Sequence, residues 1–483
     1  MRAEVRAIAA SVACAASLVG AQASADWEAA DLQVFAPQPR STLGGAVAIL
    51  QPADAVTPDE PPAATLWAGA PFASGSIRES GLVHAWRFVQ TPGGAWGYSW
   101  YLGSVAPQQG ACFGSAIAVS GNTMVVGAPM QRLTATSTAT ASLAAGHAEV
   151  IALAPSSPTA GTATVLPHAA PAGGDLYGSA VAVLRANTIV HVVASAPRDD
   201  VDSIVDAGSV QCFRRDSAVT WTNIGQAALP DALADDRLGE ALATTDDRLF
   251  ASVRRGAGTV ASFGFAEGVP ALESTIVAPD PAAQGFGRAL ACNGTLLAIG
   301  APGPSVDSPD VGKVFILDAA PPHAVRAVVS SPFPTECGGF GASLAFTRNC
   351  LVVGTEQGAT SIASGKVAVY TVSPDSAAVA LQFIDGDGLQ TGFGAAVATG
   401  GAHVAVGVPG AGTAAQGSVR THAFAPSLRT PDLNGDGIVG GADLGILLGK
   451  FGSFFGGPED LNYDDRIDGA DLGILLGAWG TAG

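Results

Sequence analysis
One short pattern recurs seven times along this chain: an aromatic residue or Leu, then Gly, any residue, Ala or Ser, an apolar residue and Ala. The copies are Leu43-Gly44-Gly45-Ala46-Val47-Ala48, Phe113-Gly114-Ser115-Ala116-Ile117-Ala118 and Tyr177-Gly178-Ser179-Ala180-Val181-Ala182. They continue as Leu238-Gly239-Glu240-Ala241-Leu242-Ala243, Phe286-Gly287-Arg288-Ala289-Leu290-Ala291, Phe340-Gly341-Ala342-Ser343-Leu344-Ala345 and Phe393-Gly394-Ala395-Ala396-Val397-Ala398. Internal repeats of this length are the mark of an array or a ring, so they constrain the fold before any secondary structure is assigned. Later features repeat too. A second apolar run usually ends in Gly-Ala-Pro or a relative, as at Gly69-Ala70-Pro71, Gly127-Ala128-Pro129 and Gly300-Ala301-Pro302. A third run starts with Gly, as at Gly81, Gly312 and Gly365, and a weaker fourth precedes the next copy, as at Leu381-Gln382-Phe383-Ile384. Four short strands per repeat, with Gly and Pro at the turns, describe the blade of a β-propeller. The small residues of the first strand suit the crowded centre of such a ring.

The last copy ends without a fourth run, because its third run leads straight into Ala425-Pro426-Ser427. Conversely, Asp31-Leu32-Gln33-Val34-Phe35 stands before the first copy as a fourth strand that no earlier blade can own. Residues 31–35 are therefore expected to complete blade seven and remove its open edge. In a meander, loops between second and third strands share one end of the ring with the connections between blades. That end holds the long segments 72–80, 130–145, 198–207 and 303–311, which makes it the expected binding face.

Composition narrows the function. The 483 residues include 62 Gly and 31 Pro, which favours turns and short strands. The formal charge of -18 speaks against a polyanionic partner, since nucleic acid and anionic lipid need a basic face. Arg2 and Arg6, the apolar stretch from Ala7 to Val19 and the small residues Ala21-Gln22-Ala23-Ser24-Ala25 form a secretory signal pattern, with cleavage expected after Ala25. Residues 1–25 are thus read as an address, 26–426 as the propeller and 427–483 as a separate module. Five cysteines remain, Cys112, Cys212, Cys292, Cys337 and Cys350; an odd number is no disulfide framework.

The seven repeats resemble FG-GAP repeats, the blades of the integrin α-chain propeller and its bacterial relatives. The likeness covers roughly residues 26–426 and implies the seven-bladed fold. Many FG-GAP blades carry an Asp-rich calcium loop between first and second strands. Here those loops are short turns without a carboxylate cage, such as Ser120-Gly121-Asn122 and Cys292-Asn293-Gly294, so no family-type calcium is expected there.

Beyond residue 430 a different segment occurs twice, 28 residues apart. Asp432-Leu433-Asn434-Gly435-Asp436-Gly437-Ile438 leads to Asp443, and Asp460-Leu461-Asn462-Tyr463-Asp464-Asp465-Arg466 leads to Asp471; each copy continues into Leu-Gly-Ile-Leu-Leu-Gly. Acidic groups at loop positions 1, 5 and 12, with Asn at 3, are the oxygen ligands of an EF-hand-type calcium loop. The duplicated loop and helix, with Asp at position 12, resembles a type I dockerin. That resemblance implies a small α-helical domain holding two Ca²⁺ ions and a cohesin-like protein partner. It implies Asp432, Asn434, Asp436, the Ile438 carbonyl and Asp443 as one ligand set. The other would be Asp460, Asn462, Asp464, the Arg466 carbonyl, Asp468 and Asp471. Loop positions 10 and 11, often Ser-Thr in familiar dockerins, are Gly441-Ala442 and Gly469-Ala470 here, which puts a standard cohesin in doubt.

No Gly-x-Ser-x-Gly, His-Glu-x-x-His, phosphate loop or dinucleotide fingerprint occurs, so no catalytic residue is assigned. The carboxylate groups Asp199, Asp200, Asp202 and Asp235, Asp236 read as solvated loops rather than a glycosidase pair. His84 and His422 read as sheet residues. The expected function is a secreted, non-catalytic binding or structural protein, its propeller meeting a protein or glycan and its dockerin-like module tethering it. The alternative is an extracellular polysaccharide hydrolase or lyase working from the propeller face. For that reading Trp86, Trp96, Trp100 and Tyr101 are the aromatic cluster of interest.

Overall fold
The computed structural model describes residues 29–32, 34, 38–50, 64–89, 95–132, 144–154, 157–186, 189–217, 219–265, 268–303, 312–333, 338–347, 350–355, 365–372, 378–386, 392–400, 403–412, 414–423, 431–434, 438–452, 459, 461 and 467–480. The expected signal segment lies outside them.

Twenty-eight described strands form seven four-stranded antiparallel sheets. Blade one is β2 (Val47–Leu50), β3 (Thr65–Ala70), β4 (Leu82–Val89) and β5 (Ala95–Leu102), paired in that order. Blade two is β6 (Ala116–Ser120), β7 (Thr123–Gly127), β8 (Ala148–Ala154) and β9 (Ser157–Leu166). Blade three is β10 (Val181–Ala186), β11 (Ile189–Ala196), β12 (Ser209–Arg215) and β13 (Trp221–Ala227). Blade four is β14 (Leu242–Thr244), β15 (Arg248–Val253), β16 (Thr259–Gly264) and β17 (Ala271–Val277). Blades five and six run from β18 (Leu290–Cys292) to β21 (Val325–Ser330) and from β22 (Phe340–Thr347) to β25 (Val379–Asp385). Blade seven joins β26 (Val397–Gly400), β27 (His403–Val408) and β28 (Ser418–Ala423) to β1 (Ala29–Leu32), the first of the described strands.

This is a seven-bladed β-propeller, closed as the sequence predicts. Asp31 stands opposite Arg420 and Leu32 opposite Val419, and an Asp31–Arg420 ion pair (3.1 Å) fixes the register. The paired segment is 29–32 rather than 31–35; Gln33 and Phe35 lie outside the described residues.

Each second strand is sandwiched between neighbouring blades, so it reads as an unbroken apolar run: β7, β19 (Leu296–Ala301) and β27 are buried at every position. Outer strands alternate instead, as in β17. Among the described residues the core is seven hydrophobic clusters, and each straddles one junction between adjacent blades. The largest packs Val193, Val210 and Cys212 of blade three against Leu249, Ala261 and Phe263 of blade four.

The repeated glycines serve these junctions. Gly81, at the entry to the third strand of blade one, has φ +90°, and a Cβ there would lie 2.2 Å from the carbonyl oxygen of Phe113 in the next blade. A Cβ on Gly69 would lie 1.9 Å from the Gly114 carbonyl oxygen. The closing junction obeys the same rule: Gly407 faces the Gly44 carbonyl at 2.0 Å and Gly417 that of Leu43 at 2.2 Å. Backbone meets backbone at each seam, and only glycine leaves room.

A β-bulge follows in the third strand of blades one to six, for example at Ala85/Trp86 and Cys212/Phe213. It adds right-handed twist to the outer pair. Cys112, Cys212, Cys292 and Cys350 are free thiols; Cys337 lies outside the described residues.

The C-terminal segment contributes two nine-residue helices, α1 (Gly441–Gly449) and α2 (Gly469–Gly477). Their core is Val439, Leu447, Leu461, Ile467 and Leu475. A two-fold relation ties the halves: the Gly452 amide donates to the Ile467 carbonyl (2.7 Å) and the Gly480 amide to the Val439 carbonyl (2.9 Å). Leu448 and Leu476 are exposed. They lie one residue past the buried Leu447 and Leu475, about 100° round the helix. Among the described residues no helix is long and apolar enough to cross a membrane.

Candidate functional site
Backbone bonds place the loops as the meander requires. The Gly81 amide donates to Ala73 and the Phe113 amide to Ser80, so the loop between β3 and β4 lies beside the connection into blade two. On this end, where blades two and three meet, three polar side chains converge. His168 follows β9, Asp175 stands three residues before the motif glycine Gly178, and Asp199 lies in the turn after β11. One donor atom from each lies within 4.8 Å of the others.

The chain fixes both carboxylates. The Ala172 amide donates to Asp175 (2.6 Å), and the Ser209 hydroxyl donates to Asp199 (2.6 Å). His168 stands between them, with Nδ1 3.6 Å from Asp175 and Nε2 3.4 Å from Asp199. Its side chain is only 3% exposed, and the Tyr177 ring packs 5.0 Å away. Both ring nitrogens are buried without a hydrogen-bond partner, because the gaps exceed ordinary N–H···O lengths. Burial pushes the Asp175 carboxyl above its usual range. Burial pushes Asp199 up as well, but His168 and the Ser209 hydroxyl outweigh it and hold Asp199 low.

The corresponding corner of blade four is closed. Arg255 binds Asp236 at 2.5 and 3.2 Å and Asp231 at 2.9 Å, and these carboxylates hold the guanidinium protonated. In blade two the fully buried Glu149 takes His147 Nε2 at 2.9 Å, the Val105 amide at 3.1 Å and the Ser104 hydroxyl.

The structure thus divides the sequence's carboxylate groups. Asp199 is drawn inward, whereas Asp200 accepts the Asp206 amide in the exposed turn. Asp236 is consumed by Arg255, and Asp235 is exposed beside Arg237. His168 and Asp175 carried no motif of their own. One signal was present: Asp175 and Asp236 both stand three residues before a motif glycine, and aligning the repeats on glycine superposes them.

The aromatic cluster of blade one is largely structural. Trp86 is buried, and Trp100 meets Trp67 edge-on at 5.1 Å. Tyr98 and Tyr101 remain exposed, with Tyr98 3.1 Å from His84 Nδ1. His84 lies in β4 and His422 in β28, both third strands, as expected.

In the C-terminal module Asp443 and Asp471 are fully buried at the start of their helices. Asp443 accepts the amides of Leu433 (2.7 Å), Asn434 (3.1 Å) and Gly440 (2.7 Å). Asp471 repeats this with Leu461 (2.6 Å) and Asp468 (2.8 Å). Each carboxylate therefore gathers backbone amides from the segment that precedes its helix. Asp432 is half-buried, and Asn434 and Ile438 are exposed beside it. Asp436, Asp460, Asn462, Asp464 and Arg466 lie outside the described residues.

No family model matches this chain, and no curated protein matches it. Among solved structures it is similar to U3-55K at 11% identity, covering 82% of this chain and 98% of that one, with a TM-score of 0.48. It is also similar to the WD40 repeats of RRP9 at 12% identity, covering 84% and 99%, with a TM-score of 0.48.

Proposed function
We propose that this is a secreted, non-catalytic binding protein, an FG-GAP-type propeller tethered through a dockerin-like module to a cohesin-like partner. The observation that carries the reading is a duplicated apolar face. Leu448 and Leu476 are 50% and 51% exposed, and Phe451 and Trp479 are 48% and 47% exposed, in two sets exactly one 28-residue repeat apart. Exposed large apolar side chains arranged in this way on a small module suit docking on a protein partner. The residues that the sequence assigns to the two loops offer only oxygen donors, which suits Ca²⁺, and a carboxylate in the first turn of each helix accepts amides from the segment before it. Calcium would neutralise that acidic centre and couple binding to folding. The propeller's loop-rich end is then free to meet a protein or glycan.

The test is capture of the full chain by cohesin modules, in calcium and in chelator, beside the double variant Leu448→Asp, Leu476→Asp. Capture that needs calcium and is lost in the variant supports the tether. A chain that takes up no calcium, or is captured equally in chelator, overturns it. Turnover of any member of a polysaccharide panel would favour the enzyme reading instead.

A further inference from the structure
We infer that His168, Asp175 and Asp199 form a binding site for a first-row divalent metal ion of the zinc class, at the seam between blades two and three. It is independent of the calcium loops and of the tether.

Three observations carry it. First, the three donors are preorganised by the fold rather than gathered from a mobile surface. Asp175 and Asp199 are each held by an additional hydrogen bond, to the Ala172 amide and the Ser209 hydroxyl, which leaves their remaining lone pairs for the centre. Second, the buried imidazole has no hydrogen-bond partner at either nitrogen, although it lies between two carboxylates. Third, the neighbouring blade shows what a completed corner looks like. Around Arg255 the same kind of triad contracts to contacts of 2.5–3.2 Å. Around His168 the donors stay 3.4 and 3.6 Å apart. Each carboxylate faces its own ring nitrogen, Asp175 at Nδ1 and Asp199 at Nε2, and one donor atom from each of the three side chains lies within 4.8 Å of the others, so a small closing movement would bring one nitrogen and both carboxylates onto a single ion.

The donor set also selects the ion. The imidazole nitrogen is a borderline donor that suits Zn²⁺, which also accepts carboxylate oxygens, whereas Ca²⁺ and Mg²⁺ prefer oxygen alone. The ion would supply the positive charge that Arg255 supplies in blade four. Asp199 has the most open side chain of the three, at 12% exposed, so water would complete the shell from its side.

The experiment uses the full chain, stripped of metal and then held in excess Ca²⁺ so that the C-terminal loops are not the acceptors. Zinc is titrated by calorimetry, and the melting temperature is followed in parallel, since an ion that binds only the folded state raises it. One equivalent should bind. His168→Gln, Asp175→Asn and Asp199→Asn should each weaken that site at least tenfold, and zinc should no longer raise their melting temperatures. The X-ray absorption spectrum of zinc-loaded wild type serves if a variant fails to fold. It should contain one imidazole and otherwise oxygen. No zinc uptake, uptake unchanged by His168→Gln, or a shell with sulfur or several imidazoles would overturn the assignment.

Discussion
A single hydrogen atom decides the closing seam of the ring. At Gly407 the missing methyl lets the chain pass the Gly44 carbonyl, where a Cβ would lie at 2.0 Å from a backbone oxygen that cannot swing aside. Gly407→Ala should cost about 3 kcal/mol or more, the range of overpacked or strained sites, read as a lower urea midpoint of the full chain. By contrast Gly445→Ala and Gly473→Ala sit in helices with nothing within 4 Å of the new methyl. Each should stabilise its helix by about 1 kcal/mol, seen as slower amide exchange in residues 441–449 and 469–477. The repeated glycines were plain in the sequence, but their reason was not, because the atom each one avoids belongs to the next repeat. His168 was harder still to find. Its meaning depends on Asp175 and Asp199, and no local pattern joins the three.

The end strands show how an element can matter more than any of its contacts. The Asp31–Arg420 pair is half open to water, so Asp31→Asn should cost under about 1 kcal/mol. Deleting residues 29–32 removes a whole strand from β28 and bares a hydrogen-bonding edge. It should lower the melting temperature far more than Asp31→Asn and produce concentration-dependent association in light scattering. Helix α1 carries a pH prediction of its own. The Gly440 amide first, then those of Asn434 and Leu433, hold the Asp443 carboxyl below its usual range against the opposing effect of burial. A depressed carboxyl stabilises above its unfolded value, about 3.9, and that support is lost as pH falls through the folded value. Exchange of the Leu433, Asn434 and Gly440 amides should therefore accelerate, relative to intrinsic rates, below about pH 4. Strand count and order were legible in the sequence because each blade repeats the same burial. The closing strand was legible too, as a fourth run without a blade. The register of Leu448 and Leu476 was not, since a run of four apolar residues gives a helix no single face.

Across the whole molecule, three neutral histidines lie in the two blades that close the ring. Burial lowers His84, His403 and His422 to about 4. His403 packs against Phe88 (4.4 Å) and Trp96 (5.2 Å), across the seam between blades seven and one. An unfolded chain protonates these rings near pH 6.5, whereas the folded one resists until about pH 4. Stability therefore falls as pH drops through that window, by at most about 3 kcal/mol per ring. Urea midpoints measured from pH 7 to 4 should decline, and His403→Gln should flatten the decline. A slope unchanged by that variant would remove the seam histidine from the account.

The closure also has a consequence in time. Residues 29–32 are synthesised before any of the seven repeats, yet their partner, residues 418–423, is among the last of the propeller to be made. Six blades can assemble from neighbours as they emerge from the ribosome, but the seventh must wait. Until then the nascent ring is a crescent with one bare edge and one unclaimed strand. The interval between those two syntheses is when a chaperone, or a second nascent copy offering the same strand, can intervene.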